Sequence, residues 1–386
     1  MMENFNYHNP VKILFGKGKV KELSAQLPKD ARILMTYGGG SIFKNGIYEQ
    51  VKEQLRGFEV SEFGGIEANP HYETCMKALL LIKEKNINFL LAVGGGSVLD
   101  GTKLIAAGVH YKGDPWEILS KDAKVASALP IGAVLTLPAT GSEMNGNSVI
   151  TKAETQEKLA FGSPLVMPQF SILDPEFTYS LPQRQVVNGI VDAFVHVMEQ
   201  YLTYPVNAPI QDRFAESILL TLIEQGKLAF KNELPDYENR ANLMWAATMA
   251  LNGLIGSGVK SCWATHTIGH ELTALHGLDH ALTLAIVLPG LLRQLKHKRI
   301  EKLNQYAQQV WGLSESDKEL AADKAINATE DFFRSLGMKT LLSEHQIGDK
   351  TIEEILTRFK NRNMTILGNQ KDIPLDDVKL MLQSRL

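Results

Sequence analysis

The stretch LLAVGGGSVLDGTK, residues 90–103, joins an apolar run to three consecutive glycines and then to a helical pattern. An apolar run that ends in a glycine turn predicts a buried β-strand. Glycines at such a turn let the backbone approach a pyrophosphate closely, and free N–H groups at the start of the next helix face the anion. The stretch does not match G-x-G-x-x-G, so a tight structural turn without a ligand remains the alternative.

Short apolar runs and helical patterns alternate on both sides of this stretch through the first half of the chain. The predicted strands cover residues 12–15, 33–37, 60–63, 89–93 and 131–137. The predicted helices cover residues 18–26 and 72–85, with one more ending near residue 55 and another beginning near residue 99. Residues 151–173 show an irregular, hairpin-like pattern. Strands separated by helices of about 10–15 residues predict βαβ units, and hence an α/β domain with a parallel sheet covered on both faces.

A second glycine loop, Tyr37–Ser41, follows the predicted strand 33–37. Dinucleotide-binding folds usually present an acidic residue to the adenosine ribose 2′-OH at this position. Here the residues are glycines and a serine, which leave room for a 2′-phosphate. The loop therefore favours NADP(H) over NAD(H), although no arginine marks the phosphate. A glycine turn with no ligand is the alternative.

The segment TLPATGSE, residues 136–143, closes the predicted strand 131–137 with hydroxyl side chains on a turn. Ser142 or Thr140 could serve as the N-cap of a following helix. Hydroxyls at the carboxyl ends of strands are also where ligands of open α/β sheets bind. Asp100 leaves a similar choice, between capping the helix that follows the glycines and lying beside the cofactor.

Beyond residue 180 the pattern becomes helical. The segments with 3.6-residue apolar periodicity are residues 186–202, 208–225, 237–255, 264–274, 280–295, 299–312 and 317–336, with a helical tail from residue 351. We therefore predict an α/β domain over residues 1–180 and an all-helical domain over residues 181–386.

The helical half contains CWATHTIGHELTALHGLDH, residues 262–280, with four of the ten histidines of the chain. His266 and His270 share one face if the segment is helical. Upstream, Asp192 and His196 have the same spacing within an apolar helical segment, where a buried carboxylate needs a partner. One carboxylate and three imidazoles suit a divalent zinc or iron ion.

Other interpretations of these residues remain open. Asp192 and His196 could form a helix-surface pair, and His276 has the position of a turn residue before a glycine. Four ligands complete the coordination of such an ion, so Asp192, His196 and two histidines of the cluster suffice. Spacing does not say which two. A remaining histidine such as His270 could relay a proton, and Cys262 is expected to be a packed thiol.

Composition excludes several classes of partner. The net charge is −3 and no basic block is present, which argues against nucleic acid and anionic membranes. The most apolar run, residues 281–292, is too short to span a bilayer, and the first residues lack the apolar core of a signal peptide. Two cysteines cannot build a disulfide framework, which indicates a reducing cytoplasm.

Motifs throughout the chain resemble those of the iron-containing (group III, metal-dependent) alcohol dehydrogenases, in particular the NADPH-dependent aldehyde reductase and butanol dehydrogenase branch. The motifs are FGKG at residue 15, FGGIEANP at 63–70, LLAVGGGSVLDGTK, TLPATGSE, IVDAFVHVMEQY at 190–201 and WATHTIGHELTALHGLDHA at 263–281. The resemblance implies a dinucleotide-binding α/β domain and a helical metal domain of dehydroquinate synthase-like architecture, with catalysis in the cleft between them. It also implies a homodimer joined through N-terminal strands, a role that residues 12–15 would suit.

The resemblance further implies specific site residues. The metal ligands would be Asp192, His196, His266 and His280. The cofactor contacts would be Gly38, Gly39, Gly40, Ser41, Asn69, Gly95, Gly96, Ser97, Asp100, Thr136 and Lys158, with either Asn145 or Asn147. Many relatives have TTAGTGSE where this chain has TLPATGSE, so a contact made by the missing threonine hydroxyl is in doubt.

The predicted reaction is hydride transfer between NADPH and a small aldehyde, with the metal ion polarising the carbonyl oxygen and His270 or water supplying the proton. One alternative is an NAD- and zinc-dependent lyase of the dehydroquinate synthase type. Such an enzyme needs basic residues for a phosphorylated substrate, whereas Lys260 is the only lysine or arginine between residues 243 and 292. The other alternative is a metal-stabilised binding protein without turnover.

Overall fold

In the computed structural model, which describes residues 1–232 and 234–386, six strands form one parallel sheet. The strands of this sheet are β1 Lys12–Phe15, β2 Arg32–Tyr37, β3 Glu59–Phe63, β4 Phe89–Gly95, β5 Ile131–Leu137 and β8 Phe170–Leu173, and a separate antiparallel hairpin consists of β6 Asn147–Lys152 and β7 Glu157–Gly162. The order across the sheet is β1-β8-β5-β4-β2-β3, so β1 and β3 are edge strands. The predicted parallel sheet is confirmed.

Helices cover both faces of the sheet, because the strands carry apolar side chains alternately towards each face. Phe89 and Leu91 of β4 belong to one apolar cluster, while Leu90 belongs to the other. The helices of this half are α1 Ile47–Gln54, α2 Tyr72–Lys85, α3 Gly96–Gly108 and the single turn α4 Glu117–Ser120. Helix α3 starts within the glycine run, three residues before the predicted position, and almost all of its residues are buried.

One local prediction for this half was wrong, and a second was incomplete: the hairpin-like pattern of residues 151–173 agrees with the β6–β7 hairpin but missed a strand. Residues 18–26 form two short 3-10 turns, Lys19–Glu22 and Ser24–Gln26, and not one helix. The irregular segment that ends at Leu173 contains β8, a fully buried strand between β1 and β5. Its four residues show no alternation, because both of its faces are covered.

The second half is helical, as predicted. Its helices are α5 Gln183–Tyr201, α6 Pro209–Lys231, α7 Tyr237–Ala250, α8 Ala264–His276, α9 His280–Gln294, α10 Ile300–Gln309, α11 Lys318–Ser335, α12 Asp349–Asn361 and α13 Leu375–Gln383. A two-residue antiparallel pairing, β9 Ile366–Leu367 with β10 Ile373–Pro374, closes the loop around Gly368. Among the described residues, no helix is both long and apolar enough to cross a membrane.

The chain divides into two units that are not continuous in sequence. One unit contains residues 8–186 and 234–248, and the other contains residues 1–7, 187–233 and 249–386. The α/β unit thus includes most of α7, and the helical unit includes the first seven residues. The predicted domain bounds, 1–180 and 181–386, stay a prediction, because this division groups residues by proximity and does not test independent folding.

Candidate metal centre and nucleotide cradle

Helix α5 carries two buried polar side chains, one turn apart, on an otherwise apolar segment. Asp192 and His196 are each 4% exposed, and the apolar residues around them, such as Phe194, are fully buried. A carboxylate and an imidazole at i,i+4 spacing lie on the same helix face. Burial without a partner would be costly, so this face must meet complementary groups.

Helices α8 and α9 supply those groups. His266 and His270 lie on α8, while Ile268 and Leu272 point to a core formed with α9, α12 and α13. His280 is the first residue of α9, and the preceding Asp279 accepts a hydrogen bond from Asn188 Nδ2 of α5 at 3.0 Å. This bond ties the start of α9 to the helix that carries Asp192.

Three imidazole nitrogens converge on one carboxylate oxygen. The Nε2 atoms of His196, His266 and His280 lie 3.6, 3.9 and 3.7 Å from Asp192 Oδ1. The rings of His196 and His266 are stacked with centroids 4.7 Å apart. We call this group the imidazole cluster (Asp192, His196, His266 and His280).

The spacing fits a single metal ion. Ligands about 2.1 Å from a tetrahedral ion lie about 3.4 Å from one another, slightly less than the distances above. Moreover, Asp192 Oδ1 and His266 Nε2 are buried and have no hydrogen-bond partner among the described residues. An unsatisfied buried polar atom costs about 1–3 kcal/mol, and an ion at this position would remove that cost for both atoms. The donor set therefore fits zinc or iron. Asp192, His196 and His266 offer ligand atoms that all lie within 4.8 Å of one another, and His280 adds its contact with Asp192. Ligation by all four residues stays a prediction.

The remaining histidines of the segment differ in position. The His270 ring lies beside the cluster, with its centroid 5.2 Å from that of His280 and 6.3 Å from that of His266. His276 is at the end of α8, where its ring forms a 3.1 Å hydrogen bond with Thr351. Cys262 is buried, and its Sγ accepts a hydrogen bond from Arg299 at 3.4 Å, which agrees with a packed thiol.

One residue at this centre was missed by the sequence reasoning. Glu199, on α5 and 3% exposed, accepts a hydrogen bond from the His266 ring. A signal was available, since Glu199 follows His196 by three residues on the same apolar helix and is a carboxylate that needs a partner. Its partners, however, are more than sixty residues away in sequence.

The glycine run of β4–α3 lies against the TLPATGSE turn. A Cβ atom on Gly96 would lie 2.3 Å from Thr140 Oγ1, and one on Gly95 would lie 3.0 Å from Leu137 Cβ. The glycines are therefore needed for close packing whether or not a ligand binds. Gly95, the N-cap residue of α3, makes no side-chain cap, so the N–H groups of the first turn of α3 suit a pyrophosphate.

The second glycine loop is more open. A Cβ atom on Gly39 would meet nothing within 4 Å from the described residues. Gly40 has φ 89°, which favours glycine, and begins a 3-10 turn at the exposed Ser41. Residues 37–41 contain no carboxylate. The loop thus has the space and the absence of negative charge that a 2′-phosphate requires.

Several other predicted cofactor residues lie near the glycine run of α3. The Lys158 amine donates a 3.0 Å hydrogen bond to Asn69 Oδ1, which joins two of the predicted contacts. Ser97 Oγ donates to the carbonyl oxygen of Ala68. Thr136 is 8% exposed at the end of β5, whereas the side chain of Asn147 is exposed.

Asp100 and Asn145 belong to a buried network beneath the glycine run, which we call the Lys103 cluster (Asp100, Lys103, Ser142 and Asn145). The fully buried Lys103 amine donates to Ser142 Oγ at 2.7 Å, to Asn145 Oδ1 at 3.2 Å and to the carbonyl oxygen of Asn147 at 2.8 Å. Asp100 accepts from Ser142 Oγ at 2.6 Å and from the Val149 amide at 3.0 Å. Asp100 and Asn145 therefore already have hydrogen-bond partners within the protein.

Burial controls the protonation of this cluster. It lowers the pKa of the Lys103 amine to about 8, although the charges of Asp100 and Glu143 act in the opposite direction. Burial likewise raises the pKa of the Asp100 carboxyl, against the effect of the Lys103 charge and the Ser142 hydroxyl. The Lys103 cluster joins α3, which begins in the glycine run, to the turn that contains Asn145. It therefore fixes the shape of the nucleotide cradle, by which we mean the glycine run and the TLPATGSE turn beside it.

Comparisons with known proteins agree over the whole chain. A family model described as "Iron-containing alcohol dehydrogenase" matches residues 10–175, and one described as "Fe-containing alcohol dehydrogenase family, C-terminal" matches residues 186–386. The chain is 56% identical to the NADPH-dependent aldehyde reductase YqhD of Escherichia coli (strain K12), over 97% of each protein.

Solved structures give the same result. The chain matches a crystal structure of E. coli K-12 YqhD with a TM-score of 0.98 at 54% identity, covering 100% of this chain and 99% of that one. It also matches NADH-dependent butanol dehydrogenase A from Thermotoga maritima with a TM-score of 0.94 at 35% identity, again covering 100% and 99%.

Proposed function

The chain belongs to the iron-containing alcohol dehydrogenase family, as its motifs predicted, and on that premise we propose that it reduces small, mainly aliphatic aldehydes with NADPH and oxidises primary alcohols in reverse. The observation that carries the proposal is the convergence of three Nε2 atoms on Asp192 Oδ1. The relatives named above are an aldehyde reductase and a butanol dehydrogenase, which supports the substrate class.

Asp192, His196, His266 and His280 would hold one divalent ion, zinc or iron. Such an ion supplies a Lewis acid that polarises the carbonyl oxygen of the aldehyde. The protein's own part is to orient four donor atoms around one point and to exclude water from it. Helices α5, α8 and α9 do this, because the polar groups of each lie on an apolar segment packed into the core.

The two glycine loops would hold NADPH, which supplies the hydride. Gly95, Gly96 and Ser97 would contact the pyrophosphate at the start of α3, and Gly38–Ser41 would receive the 2′-phosphate. The absence of a carboxylate from residues 37–41 supports NADPH, since an acidic side chain there would repel the phosphate. Further contacts would come from Asn69, Thr136, Asn147 and Lys158, with Asp100 and Asn145 supporting the cradle from beneath.

An uncharged substrate agrees with the charges around the imidazole cluster. Between residues 243 and 292 the only lysine or arginine is Lys260. Two arginines approach α8, Arg358 of α12 and Arg362 directly after it, but both pair with Glu271. A phosphorylated substrate, as in a dehydroquinate synthase-type lyase, would need unpaired cations. The pairing with Glu271 therefore favours an apolar aldehyde.

We assign His270 the role of holding the proton that the alkoxide accepts, because its ring lies beside His280 at 5.2 Å. We expect His270→Ala to lower kcat roughly 10²-fold or more while the protein keeps its metal. His276→Ala is the matched control, since His276 lies on the same helix and contacts Thr351 instead. Turnover and metal content are measured on both variants. Full turnover in His270→Ala would remove this residue from the mechanism and leave water as the donor.

We also propose a cytoplasmic homodimer. Both cysteines are buried free thiols, in keeping with a reducing compartment. Strand β1 lies at one edge of the sheet, and an edge strand offers unpaired backbone groups to a second copy. Sedimentation of the wild-type protein and of a Leu14→Pro variant in β1 would test the dimer.

The test of the whole proposal is NADPH oxidation with butanal, followed by absorbance, on metal-replete protein and on protein stripped with a chelator. We expect oxidation that disappears on stripping and returns with zinc or iron. Rapid oxidation that survives stripping would contradict the role of the metal. The absence of oxidation in both samples would contradict the reductase.

A further inference from the structure

Glu199 is buried beside the imidazole cluster without being one of its proposed ligands. We propose that Glu199 is a positioning residue that fixes the tautomer and the orientation of the His266 ring, so that Nε2 presents its lone pair to the metal. This inference rests on the metal site proposed above. It concerns the chain itself, however, and makes a prediction for the metal-free protein.

The hydrogen bonds of Glu199 determine where the His266 proton lies. Its Oε2 accepts from His266 Nδ1 and, at 3.2 Å, from the His266 backbone amide. An ionised carboxylate can only accept, so Nδ1 must carry the proton. In a neutral imidazole the other nitrogen then has a free lone pair. That atom, Nε2, faces Asp192 Oδ1 and has no hydrogen-bond partner among the residues that the structure describes.

The same carboxylate anchors the start of α8. Glu199 Oε1 accepts from the Thr265 amide at 2.7 Å, and the Glu199 carbonyl oxygen accepts from the Cys262 amide at 2.8 Å. Trp263, which precedes the helix, has φ 63° and makes no side-chain cap. Glu199 therefore replaces the missing cap from a different helix, and its negative charge suits the helix N-terminus. The ring and the helix start share one anchor, so His266 cannot swing away without disturbing both.

The charge of Glu199 also matters for a divalent ion. Of the proposed ligands only Asp192 carries a negative charge. Glu199 brings a second negative charge to the site through the imidazole of His266, without occupying a coordination position. A carboxylate in contact with a ligating histidine raises the basicity of the ring, and loss of such a group typically weakens metal affinity about 10–100-fold.

The test uses Glu199→Gln, which keeps the shape and removes the charge. Glutamine can accept from the Thr265 amide or from His266 Nδ1, but its NH₂ group must then face the other donor. We expect the His266 proton to move to Nε2 in part or completely. The readout is the ¹⁵N spectrum of histidine-labelled, metal-free protein, followed as the pH is raised until the ring signals no longer change, with the His266 signal identified by its loss in His266→Gln.

Zinc affinity is the second readout, with Glu216→Gln as the matched control. Glu216 is buried on α6, where it accepts from Tyr201 Oη at 2.7 Å, away from the cluster. We expect zinc affinity to fall about 10–100-fold in Glu199→Gln and to remain at the wild-type value in Glu216→Gln. A purely structural role would lower the thermal stability of Glu199→Gln without moving the His266 proton or the affinity.

The outcomes separate this inference from the proposed function. Wild-type protein that binds no zinc would overturn the metal site itself. Wild-type protein that binds zinc, with equal affinity in Glu199→Gln, would overturn the inference alone. If Glu199→Gln does not fold, the wild-type spectrum decides: a proton on Nδ1 supports the inference, and a proton on Nε2 overturns it.

Discussion

The Lys103 cluster and the imidazole cluster each contain a buried aspartate, yet their atoms are paired differently. Asp100 is 8% exposed and Asp192 is 4% exposed. In the Lys103 cluster the amine meets three acceptors and both Asp100 oxygens accept a hydrogen bond. In the imidazole cluster two ligand-type atoms have no hydrogen-bond partner in the part of the chain that the structure describes.

From this difference we expect a ligand to complete the imidazole cluster and not the Lys103 cluster. Each unpaired buried polar atom costs about 1–3 kcal/mol, so a fold retains such atoms where a bound partner removes the cost. A cluster closed by its own chain instead contributes to shape and stability. The burial of the two aspartates does not distinguish the two clusters, whereas the hydrogen-bond pairing of their atoms does. Variants in the imidazole cluster should therefore lose metal and keep their stability. Variants in the Lys103 cluster should lose stability and keep their metal.

The largest effect is expected from Asp192→Ala in the imidazole cluster. Loss of the central carboxylate should abolish metal binding and lower the rate of NADPH oxidation with butanal roughly 10³-fold, because a Lewis acid lowers the activation barrier by several kcal/mol. Since Asp192 Oδ1 has no hydrogen bond to lose among the residues that the structure describes, the free energy of unfolding of the metal-free protein should not fall. Elemental analysis and denaturant unfolding provide the measurements. Full metal content in this variant would end the distinction between the clusters.

The reverse result is expected from Lys103→Met in the Lys103 cluster. Removing the amine leaves the Asp100 carboxylate buried without its counter-charge, which should lower the free energy of unfolding by about 3–5 kcal/mol. Zinc content per folded molecule should not change. Lys77→Met, on the exposed side of α2, is the matched control and should leave both quantities near their wild-type values. Zinc loss in Lys103→Met without a loss of stability would contradict the assignment of this cluster to shape.

A smaller effect, on pH dependence, comes from a third buried group in the helical unit. Burial raises the pKa of Glu330, but hydrogen bonds from Arg385, Thr340 and Arg293 outweigh it and hold the pKa at about 2, below the ordinary 4.5. The stability that these bonds contribute is complete above pH 4.5 and is lost as the pH falls from 4.5 through about 2, because the unfolded chain binds the proton first.

Glu330→Gln sharpens this third case. In metal-free protein, the free energy of unfolding of the wild type should fall as the pH drops from 4.5 to about 2, with the slope expected for the binding of one proton. The free energy of unfolding of the variant should lack this part of the pH dependence. The variant should be less stable at neutral pH and should bind zinc normally, since Glu330 and its partners lie outside the imidazole cluster. Parallel pH profiles for the two proteins would show that Glu330 does not titrate as its hydrogen bonds require.

Much of the sheet could be predicted because its strands carry their signal locally. Phe89–Gly95 is apolar and ends in glycines, so both the strand and the turn were visible in sequence. Phe170–Leu173 was missed because three apolar residues and one serine are too few to give a period, and its pairing with β1 depends on residues more than 150 positions away. The start of α3 was predicted too late, since glycine has a low intrinsic helix propensity and tertiary packing overrides it.

The same distinction between local and long-range signals applies to the residues of the candidate site. Asp192 with His196, and His266 with His270, were visible because i,i+4 spacing places a pair on one helix face. Glu199 was missed, and the commitment of Asp100 and Asn145 to Lys103 was not foreseen, because each depends on a partner from another element. Sequence spacing reports ligand-type residues on one helix. It does not report which of their atoms the rest of the chain already satisfies.

The interleaving of the two units constrains how the protein is made. The α/β unit takes residues 234–248 from the second half. Trp245 packs against Phe15 with ring centroids 5.7 Å apart, and Thr248 donates a hydrogen bond to Glu143. During synthesis, this unit therefore remains incomplete until residue 248 has left the ribosome. The helical unit, in turn, includes the first seven residues, which are synthesised long before the rest of it. A gene divided at residue 180 would yield two fragments that each lack a segment of their own unit: residues 234–248 for the α/β unit and residues 1–7 for the helical unit.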